Sequence, residues 1–404
     1  MPTSIWIHAT HRSFLGKYKG ALSSLRADDL VVQLLNHHAH FRPEALYLGC
    51  ANQAGEDSRN IARLAVLLSN LPETTPAVTV NSLCGSSTHA LEYAYLQLKT
   101  QRFQTLWAGG VEQMTRSPLA CLPPHIDENA VWEDSTFGWR FRHPDFDGNV
   151  AGRSMLHHAD VMGKDLCRER LDAVALQSHR RAIEHQALST CECLALYDSQ
   201  GLLLLEQDEG VRPNLSAETL SRLKPVREGG IHTPAHLAPY ADGVAGAVLS
   251  SVLAPFCGEN YDETVAIELI DIVQIATPPA AMPLAGLEAL NALLEKHAVT
   301  LDEVASFEFH EAFASAYVLQ CDALGLDAFS DSRLNRRGGS LALGSPMGAT
   351  ALRSVCTLAH RLHGEGDESR PYGVATISVG MGLGSAVLLK RHDVGRVDNH
   401  FHTN

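Results

Sequence analysis

Strand-like and helix-like segments alternate through the first 120 residues, and this alternation limits the possible folds more than any other feature of the chain. Apolar runs such as Ala45–Gly49 and Thr105–Val111 have the length of buried strands. Amphipathic segments such as Ala27–Asn36 and Arg59–Leu68 separate them. Strands separated by helices are typical of a mostly parallel sheet with helices on its faces. The alternation returns near residue 242, so the sequence predicts an α/β protein with two similar halves.

The middle of the chain, residues 121–240, has a different character. It is rich in proline, histidine and charge, and turn-forming stretches such as His143–Gly148 interrupt it. One clear helix is predicted from Arg168 to about His185. We therefore expect a first half formed by residues 1–120 with about 241–270, an inserted loop domain at 121–240, and a second half at 271–404.

A single cysteine, Cys84, lies where a strand gives way to a helix. Val78 and Val80 have the two-residue spacing of a strand, and Leu91 and Leu98 belong to the apolar face of a helix. A thiol just before the first helical turn faces unpaired backbone N–H groups and the positive end of the helix dipole, which lower its pKa. Cys84 is therefore a candidate nucleophile, with a buried structural cysteine as the alternative.

Composition excludes several classes of protein. The 404 residues are 45% hydrophobic and 19% charged, as in a globular protein, and the formal charge of −14 argues against nucleic acid as a partner. Nine unevenly spaced cysteines do not suggest a disulfide framework. The N-terminus has no signal-peptide pattern, and no apolar stretch is long enough for a membrane helix. We expect a cytoplasmic protein with no membrane partner.

Three further motifs carry candidate functional residues. His310 stands where a predicted strand ends and a helix begins, and it is a candidate base or oxyanion donor, with a helix-capping histidine as the alternative. The segment Asn335–Thr350 is rich in glycine, as is Ser378–Gly384. The second of these lies between two strands, so it is not a Rossmann nucleotide motif and instead predicts a hairpin with a glycine-rich bend.

No metal site is expected from the sequence. The adjacent pair His157 and His158, with Cys191 and Cys193 further along the chain, lacks the spacing of a metal-ligand set. Surface histidines and core cysteines are the interpretation that we favour for this group.

Taken in order, the motifs resemble the thiolase family, the coenzyme-A-dependent acyltransferases that cleave or form β-ketoacyl thioesters. The resemblance runs nearly end to end. It is carried by the following segments: Gly49–Arg63, Val80–Ser87, Ala108–Met114, Glu133–Phe141 and His310–Ala314. The fourth segment is particularly similar to thiolases that act on 3-oxoadipyl-CoA, and the fifth resembles the family's Asn/His-Glu-Ala-Phe motif in its histidine version.

The resemblance implies a five-layered αβαβα fold with an inserted loop domain, assembled as a homodimer or homotetramer. It implies that an acyl-CoA is the substrate, that no cofactor is bound covalently, and that Cys84 is the residue acylated. Backbone N–H groups of the glycine motifs would stabilise the oxyanion, and two arginines would contact the coenzyme A phosphates. The residues concerned are Gly344, Gly380, Gly382, Arg180 and Arg181.

Two positions depart from the family's pattern. Thiolases carry Gly-His-Pro where this chain has Gly344-Ser345-Pro346, and a second cysteine where it has Ser378. That histidine helps to activate the nucleophile, and that cysteine moves a proton at the α-carbon. Loss of one positioned acid–base group slows a reaction by about 10²–10⁴, so carbon–carbon bond chemistry would be impaired. A small side chain that merely fills space is the alternative at each position.

Three functional hypotheses follow. The first is a thiolase-like acyltransferase in which Cys84 is acylated and His310 supplies the base and oxyanion roles. The second is a specialised condensing or transfer enzyme whose acceptor needs no proton abstraction at Ser378. The third is a thiolase-fold subunit that binds coenzyme A esters or a partner without catalysis.

Overall fold

The structure, a computed structural model, describes residues 4–135, 145, 154–257 and 262–395. Within these ranges the strands are β1 (Trp6–Ser13), β2 (Gly16–Lys17), β3 (Leu46–Gly49), β4 (Ala77–Val80), β5 (Thr105–Gln113), β6 (Leu119–Ala120), β7 (Glu133–Asp134), β8 (Cys193–Leu194), β9 (Ala241–Ser250), β10 (Val265–Ala276), β11 (Val304–Phe309), β12 (Tyr372–Val379) and β13 (Leu383–Asp393). The α-helices are α1 (Ala27–His38), α2 (Ile61–Leu68), α3 (Ser86–Lys99), α4 (Met155–Met162), α5 (Arg168–Glu184), α6 (Gln186–Ser189), α7 (Ala217–Ser221), α8 (Ala285–His297), α9 (Ala314–Ala323), α10 (Ser340–Leu343) and α11 (Thr350–Glu365).

The main strands lie in the order β11-β12-β13-β10-β1-β9-β5-β3-β4. Along this order, the outer pairs β11–β12, β3–β4 and β3–β5 are parallel and the pairs between them are antiparallel. The prediction of a mostly parallel sheet was therefore wrong. The strands β9, β10 and β13 run antiparallel to the strands beside them. The alternation of strands and helices along the sequence does not specify strand direction. The two halves of the sheet meet at β1 and β10, which pair only at Trp6 and Ile7.

Helices form three layers that alternate with the two halves of the sheet, which make the two β layers. The helices α3 and α11 lie at the centre, and their leucines share one core with strands from both halves. The helices α1 and α2 cover the outer face of the first half, and α8 and α9 cover that of the second. The result is the expected five-layered αβαβα fold. The central position explains why α11 is buried along almost its whole length.

Several local predictions were confirmed. The helix expected from Arg168 to about His185 is α5, the long strand pattern Val265–Ala276 is β10, and β12 and β13 form the glycine-turned hairpin. The segment Glu133–Phe141 is described only as far as Ser135, and the predicted turn His143–Gly148 lies almost wholly outside the described residues. The domain boundaries stay predictions.

All nine cysteines fall within the described ranges, and none is joined in a disulfide. In the same part of the chain, no helix combines the length and the apolar character needed to cross a bilayer.

Candidate active site

Cys84 lies in a tight turn between β4 and α3. The turn is held by Ser86, whose hydroxyl accepts a hydrogen bond from the Ser82 backbone N–H at 2.9 Å and donates one to the Leu83 carbonyl at 2.6 Å. Leu83, just before the cysteine, has a φ of +52°, a conformation that a branched side chain adopts only when its surroundings impose it. The bend places the half-buried Cys84 two residues before α3, at the positive end of the helix dipole.

The side chain of Cys84 packs against residues from the second half of the chain. Met347 lies in one apolar cluster that it contacts, and Val379 lies in another. Met347 comes two residues after Ser345, and Val379 comes directly after Ser378. The turn that carries Cys84 therefore faces the glycine-rich segments that the sequence analysis selected.

His310 directly follows β11, and Asn335 fixes the backbone in front of it. The Asn335 side chain accepts a hydrogen bond from the Phe309 N–H at 2.8 Å and donates one to the Phe309 carbonyl at 2.8 Å. The same amide donates to Glu311 at 2.7 Å. Glu311 is buried and also accepts from the Ser178 hydroxyl at 2.7 Å. His310 is thus held between two anchored neighbours.

The imidazole of His310 is neutral at physiological pH. Burial lowers its pKa to about 3, the positive charge of Arg353 adds to the effect, and the nearby Ser378 backbone acts in the opposite direction. Its Nε2 lies 3.4 Å from the Ser345 hydroxyl, which lies 2.7 Å from the hydroxyl of Thr350. This chain of groups can donate or relay a hydrogen bond, but it holds no resident positive charge.

Ser345 and Gly344 have different environments. The Ser345 N–H donates to the Pro239 carbonyl at 2.9 Å, which ties this turn to the inserted region. Gly344 has a φ of +101°, where glycine is favoured, and its N–H donates to the Ser340 carbonyl at 2.9 Å. Because that N–H is already used, Gly344 does not supply the oxyanion donor that was predicted for it. Its role is to shape the turn before Ser345.

The hydroxyl of Ser378 donates one hydrogen bond and accepts another within the second half of the chain. It donates to the Pro283 carbonyl at 3.0 Å and accepts from the Gly286 N–H at 2.9 Å, and the residue is buried. Gly286 lies in the first turn of α8, where backbone N–H groups have no partner within the helix. Ser378 therefore caps α8 from a distance, which is a structural role for this side chain.

The turn between β12 and β13 brings two glycines to the site. Gly382 has a φ of +89°, and its carbonyl accepts the Thr277 N–H at 2.6 Å. A Cβ atom at this position would lie 2.3 Å from the Thr277 carbonyl oxygen, so only glycine fits. Gly380 is buried next to Val379, which contacts the cysteine turn. The oxyanion roles of Gly380 and Gly382 stay predictions.

The two arginines expected to contact coenzyme A differ in exposure. Arg180 is exposed on α5 and stays a prediction. Arg181 is buried, and its guanidinium donates to the backbone carbonyls of Leu334 and Asp331 at 2.6 and 3.2 Å. A guanidinium committed to internal carbonyls cannot contact a phosphate at the surface, so the prediction for Arg181 was wrong.

Sequence reasoning missed Glu112, a buried residue that organises the site. Its carboxylate accepts the backbone N–H groups of Ala51, Asn52 and Gly348 at 3.0, 2.9 and 2.7 Å. It thereby joins the end of β5 to the loop after β3 and to the turn that carries Ser345. Two signals could have found it: a charged residue at the end of an apolar strand, where burial is uncommon for glutamate, and its place in the segment Ala108–Met114 that carries the resemblance.

Sequence comparison identifies the family. Residues 5–252 match "Thiolase, N-terminal domain" and residues 263–391 match "Thiolase, C-terminal domain". The beta-ketoadipyl-CoA thiolase of Pseudomonas putida is 33% identical over 94% of this chain and 97% of its own length. The 3-oxoadipyl-CoA/3-oxo-5,6-dehydrosuberyl-CoA thiolase of Escherichia coli is 32% identical over the same shares. These relatives are acyltransferases, and this chain is an enzyme of that class. Within the class, it belongs to the thiolase family.

Solved structures share the fold. The Bacillus anthracis acetyl-CoA acetyltransferase superposes with a TM-score of 0.84 at 26% identity, covering 96% of this chain and 99% of the other. A thiolase from Ascaris suum, solved in complex with coenzyme A, has a TM-score of 0.82 at 26% identity and covers 96% and 100%. Coenzyme A is accordingly the substrate or product of this enzyme class, and no covalent cofactor is part of it.

Proposed function

We propose that this chain forms an acyl-enzyme on Cys84 from an acyl-CoA. The observation that carries the proposal is the position of Cys84 at the start of α3, in a turn that faces the segments holding His310 and Ser345. The names of the relatives make β-ketoadipyl-CoA the first acyl donor to test.

In the proposed reaction, the Cys84 thiolate attacks the thioester carbonyl, the carbon–sulfur bond to coenzyme A breaks, and the departing coenzyme A thiolate takes up the proton that the Cys84 thiol released. The helix terminus and the first backbone N–H groups of α3 favour the thiolate. Neutral His310 donates a hydrogen bond to the oxyanion, a role that suits an imidazole whose pKa is about 3. The N–H of Gly380 is the proposed second donor.

We propose further that Ser345 and Ser378 occupy the positions of the family's histidine and second cysteine. Because the Ser378 hydroxyl is bonded to Pro283 and Gly286, it is not a base for a substrate α-carbon. This favours transfer to an acceptor that brings its own nucleophilic atom, such as an amine, an alcohol or an already activated carbon. Ordinary β-ketoacyl-CoA thiolysis would then be slow.

Intact-protein mass spectrometry tests the first step. Incubation with a panel of acyl-CoAs, including β-ketoadipyl-CoA, is expected to add one acyl group to the wild type and none to Cys84→Ala. The exposed Cys167 supplies a matched control, since Cys167→Ala should be acylated like the wild type. Absence of an adduct with every donor refutes acyl-enzyme formation, and an inert Cys84 that reacts with iodoacetamide only above about pH 8 would favour a non-catalytic subunit.

Two substitutions at His310 separate its possible roles. His310→Asn keeps an N–H donor, whereas His310→Ala removes it. If the imidazole acts as a donor, the asparagine variant retains most of the acylation rate and the alanine variant loses about 10²-fold or more. Equal losses in both variants would assign His310 the role of a proton acceptor instead.

We also propose a homodimer that forms through the edge of the sheet at β4. In the described part of the chain β4 ends the strand order, and unpaired strand edges are rarely left open to water. Apolar side chains are exposed around it, among them Leu67, Leu68, Val78 and Leu96. Light scattering should give a dimer or tetramer for the wild type and a smaller species for Leu96→Asp, whereas a monomeric wild type contradicts the proposal.

A further inference from the structure

Two exposed tyrosines, Tyr240 and Tyr18, form a strip that leads away from Ser345. Tyr240 pairs with Ser345 in a parallel bridge. Tyr18 follows β2, which runs antiparallel to β9, and its N–H donates to the Tyr240 carbonyl at 3.3 Å. Residues paired across strands project their side chains to the same face. The two rings agree with this, since they meet edge to face at 6.3 Å. This tyrosine strip therefore lies on the face to which the Ser345 side chain points.

Lys19 stands at the far end of the tyrosine strip. Its Nζ lies 5.2 Å from the centre of the Tyr18 ring. Its backbone N–H donates to the Thr115 hydroxyl at 2.7 Å. Thr115 directly follows Met114, which belongs to the apolar cluster that Cys84 contacts. Two separate contacts, one through Tyr18 and one through Thr115, thus place Lys19 at the rim of the site.

The backbone of Lys19 has a conformation that is costly for a lysine. Its φ is +61°, in the left-handed region where glycine is favoured. The bond to Thr115, whose hydroxyl in turn donates to the Asp242 carboxylate, holds the backbone there. Strained residues of this kind concentrate at functional sites. The conformation indicates that the lysine side chain itself has a role at this position.

The ammonium group of Lys19 forms no ion pair with any carboxylate in the described part of the chain. Glu209 lies beside the same loop, but Lys17 binds it at 3.1 Å, and the backbone N–H groups of Lys17 and Ala21 also donate to it. An aromatic strip that ends in a positive charge suits a ligand with an apolar middle and an anionic end.

We propose that Lys19 binds the terminal carboxylate of a dicarboxylic acyl group, while Tyr18 and Tyr240 contact the methylene groups of that acyl chain. This proposal rests on the proposed acyl transfer at Cys84, and it assigns Lys19 as a residue that determines acyl specificity.

The dimensions of the strip fit such an acyl group. Two strand spacings of about 4.8 Å separate the backbones of Ser345 and Tyr18, which is about 10 Å in total. An extended six-carbon chain spans about 6 Å, and an extended lysine side chain adds about the same. The phosphates of coenzyme A are separated from its sulfur by the pantetheine arm, which is longer than the strip. The carboxylate of the acyl group is therefore the anion that reaches Lys19.

Paired affinities test the proposal. The Cys84→Ala protein cannot be acylated, so calorimetry can compare its binding of β-ketoadipyl-CoA and of β-ketohexanoyl-CoA, which has the same number of carbons and no terminal carboxylate. We expect the dicarboxylic ligand to bind about fivefold more tightly, the contribution of a partly exposed ion pair. Adding Lys19→Met should weaken only that ligand and bring the two affinities within about twofold, whereas Lys19→Arg should keep the preference.

Two further variants make the test specific. Lys17→Met removes the same charge two residues away and should keep the preference, because the Lys17 ammonium is bound to Glu209. Lys19→Gly should lose the preference while its melting temperature stays at or above that of the wild type, since glycine relieves the positive φ. Such a result would exclude misfolding as the cause.

Three outcomes overturn the proposal: no preference in the parent protein, an unchanged preference in Lys19→Met, or an equal loss for both ligands, which would place Lys19 on a coenzyme A phosphate. The two proposals fail separately. A preference in binding without acylation of the wild type would refute the acyl-enzyme alone, and acylation of Cys84 without a preference would refute the role of Lys19 alone.

Discussion

The buried carboxylate of Glu112 gives the sharpest prediction about how the site is held together. It is fully buried and accepts three backbone hydrogen bonds, at 3.0, 2.9 and 2.7 Å. In Glu112→Gln a side-chain NH₂ group replaces one of the two carboxylate oxygens, so a donor faces a backbone N–H that needs an acceptor. One bond is lost and the other two become neutral.

The magnitude follows from typical values. A hydrogen bond to a charged group contributes about 1.5–3 kcal/mol and a neutral one about 0.5–1.5 kcal/mol, and a buried N–H without a partner costs about 1–3 kcal/mol. The smaller desolvation cost of glutamine offsets part of this loss. We therefore expect Glu112→Gln to lower the free energy of unfolding by about 2–4 kcal/mol.

Urea unfolding followed by circular dichroism measures this change. Glu128→Gln makes the same chemical substitution at an exposed position and should stay within about 0.5 kcal/mol of the wild type. Because Gly348 is one of the three donors, acylation of Cys84 should slow as well. A Glu112→Gln protein as stable as the control would refute the account of this junction.

Three further predictions concern the same region. Burial raises the pKa of Asp57 to about 7, so the folded state binds a proton more tightly than the unfolded state, and the stability from this group is lost as pH rises from about 4 to 7. Asp57→Asn should therefore gain stability relative to the wild type as pH rises across that window, and a stability difference between the two proteins that is the same at about pH 4 and about pH 7 in urea unfolding would contradict this. Ser378→Cys weakens two hydrogen bonds and should cost about 1–2 kcal/mol in the same assay, while equal stability would mean that the cap on α8 is dispensable. Asn335→Ala removes both bonds to the Phe309 backbone and should slow Cys84 acylation at least tenfold; an unchanged rate would show that β11 positions the following histidine unaided.

Local sequence patterns predicted where most helices and strands lie, and which functional residues stand at the junctions between them. The strand β10 has the bounds of its apolar run, and Cys84 lies where the pattern changes from strand to helix. These features depend on neighbours within one or two turns of chain, so the sequence contains their signal. Strand direction does not, and the expectation of a mostly parallel sheet failed for that reason.

Long-range partners could not be read from local patterns. Glu112 organises the site through donors up to 236 positions away, and Arg181, on the same helix as an exposed arginine, is buried against carbonyls about 150 residues further on. The face of α5 that turns inward depends on what packs against it. Neither burial nor hydrogen-bond partners can be assigned to such residues until that packing is known.

The sequence alone determined the alternation of strands and helices, the cysteine at the start of α3, and the ordered motifs that resemble a family. Only the tertiary structure decided that the hydroxyl of Ser378 caps α8, and that Tyr240 pairs with Ser345. Helix and strand periodicity follows from backbone geometry, which each short segment expresses by itself. The partner of a polar side chain depends on which distant segments the folded core brings together.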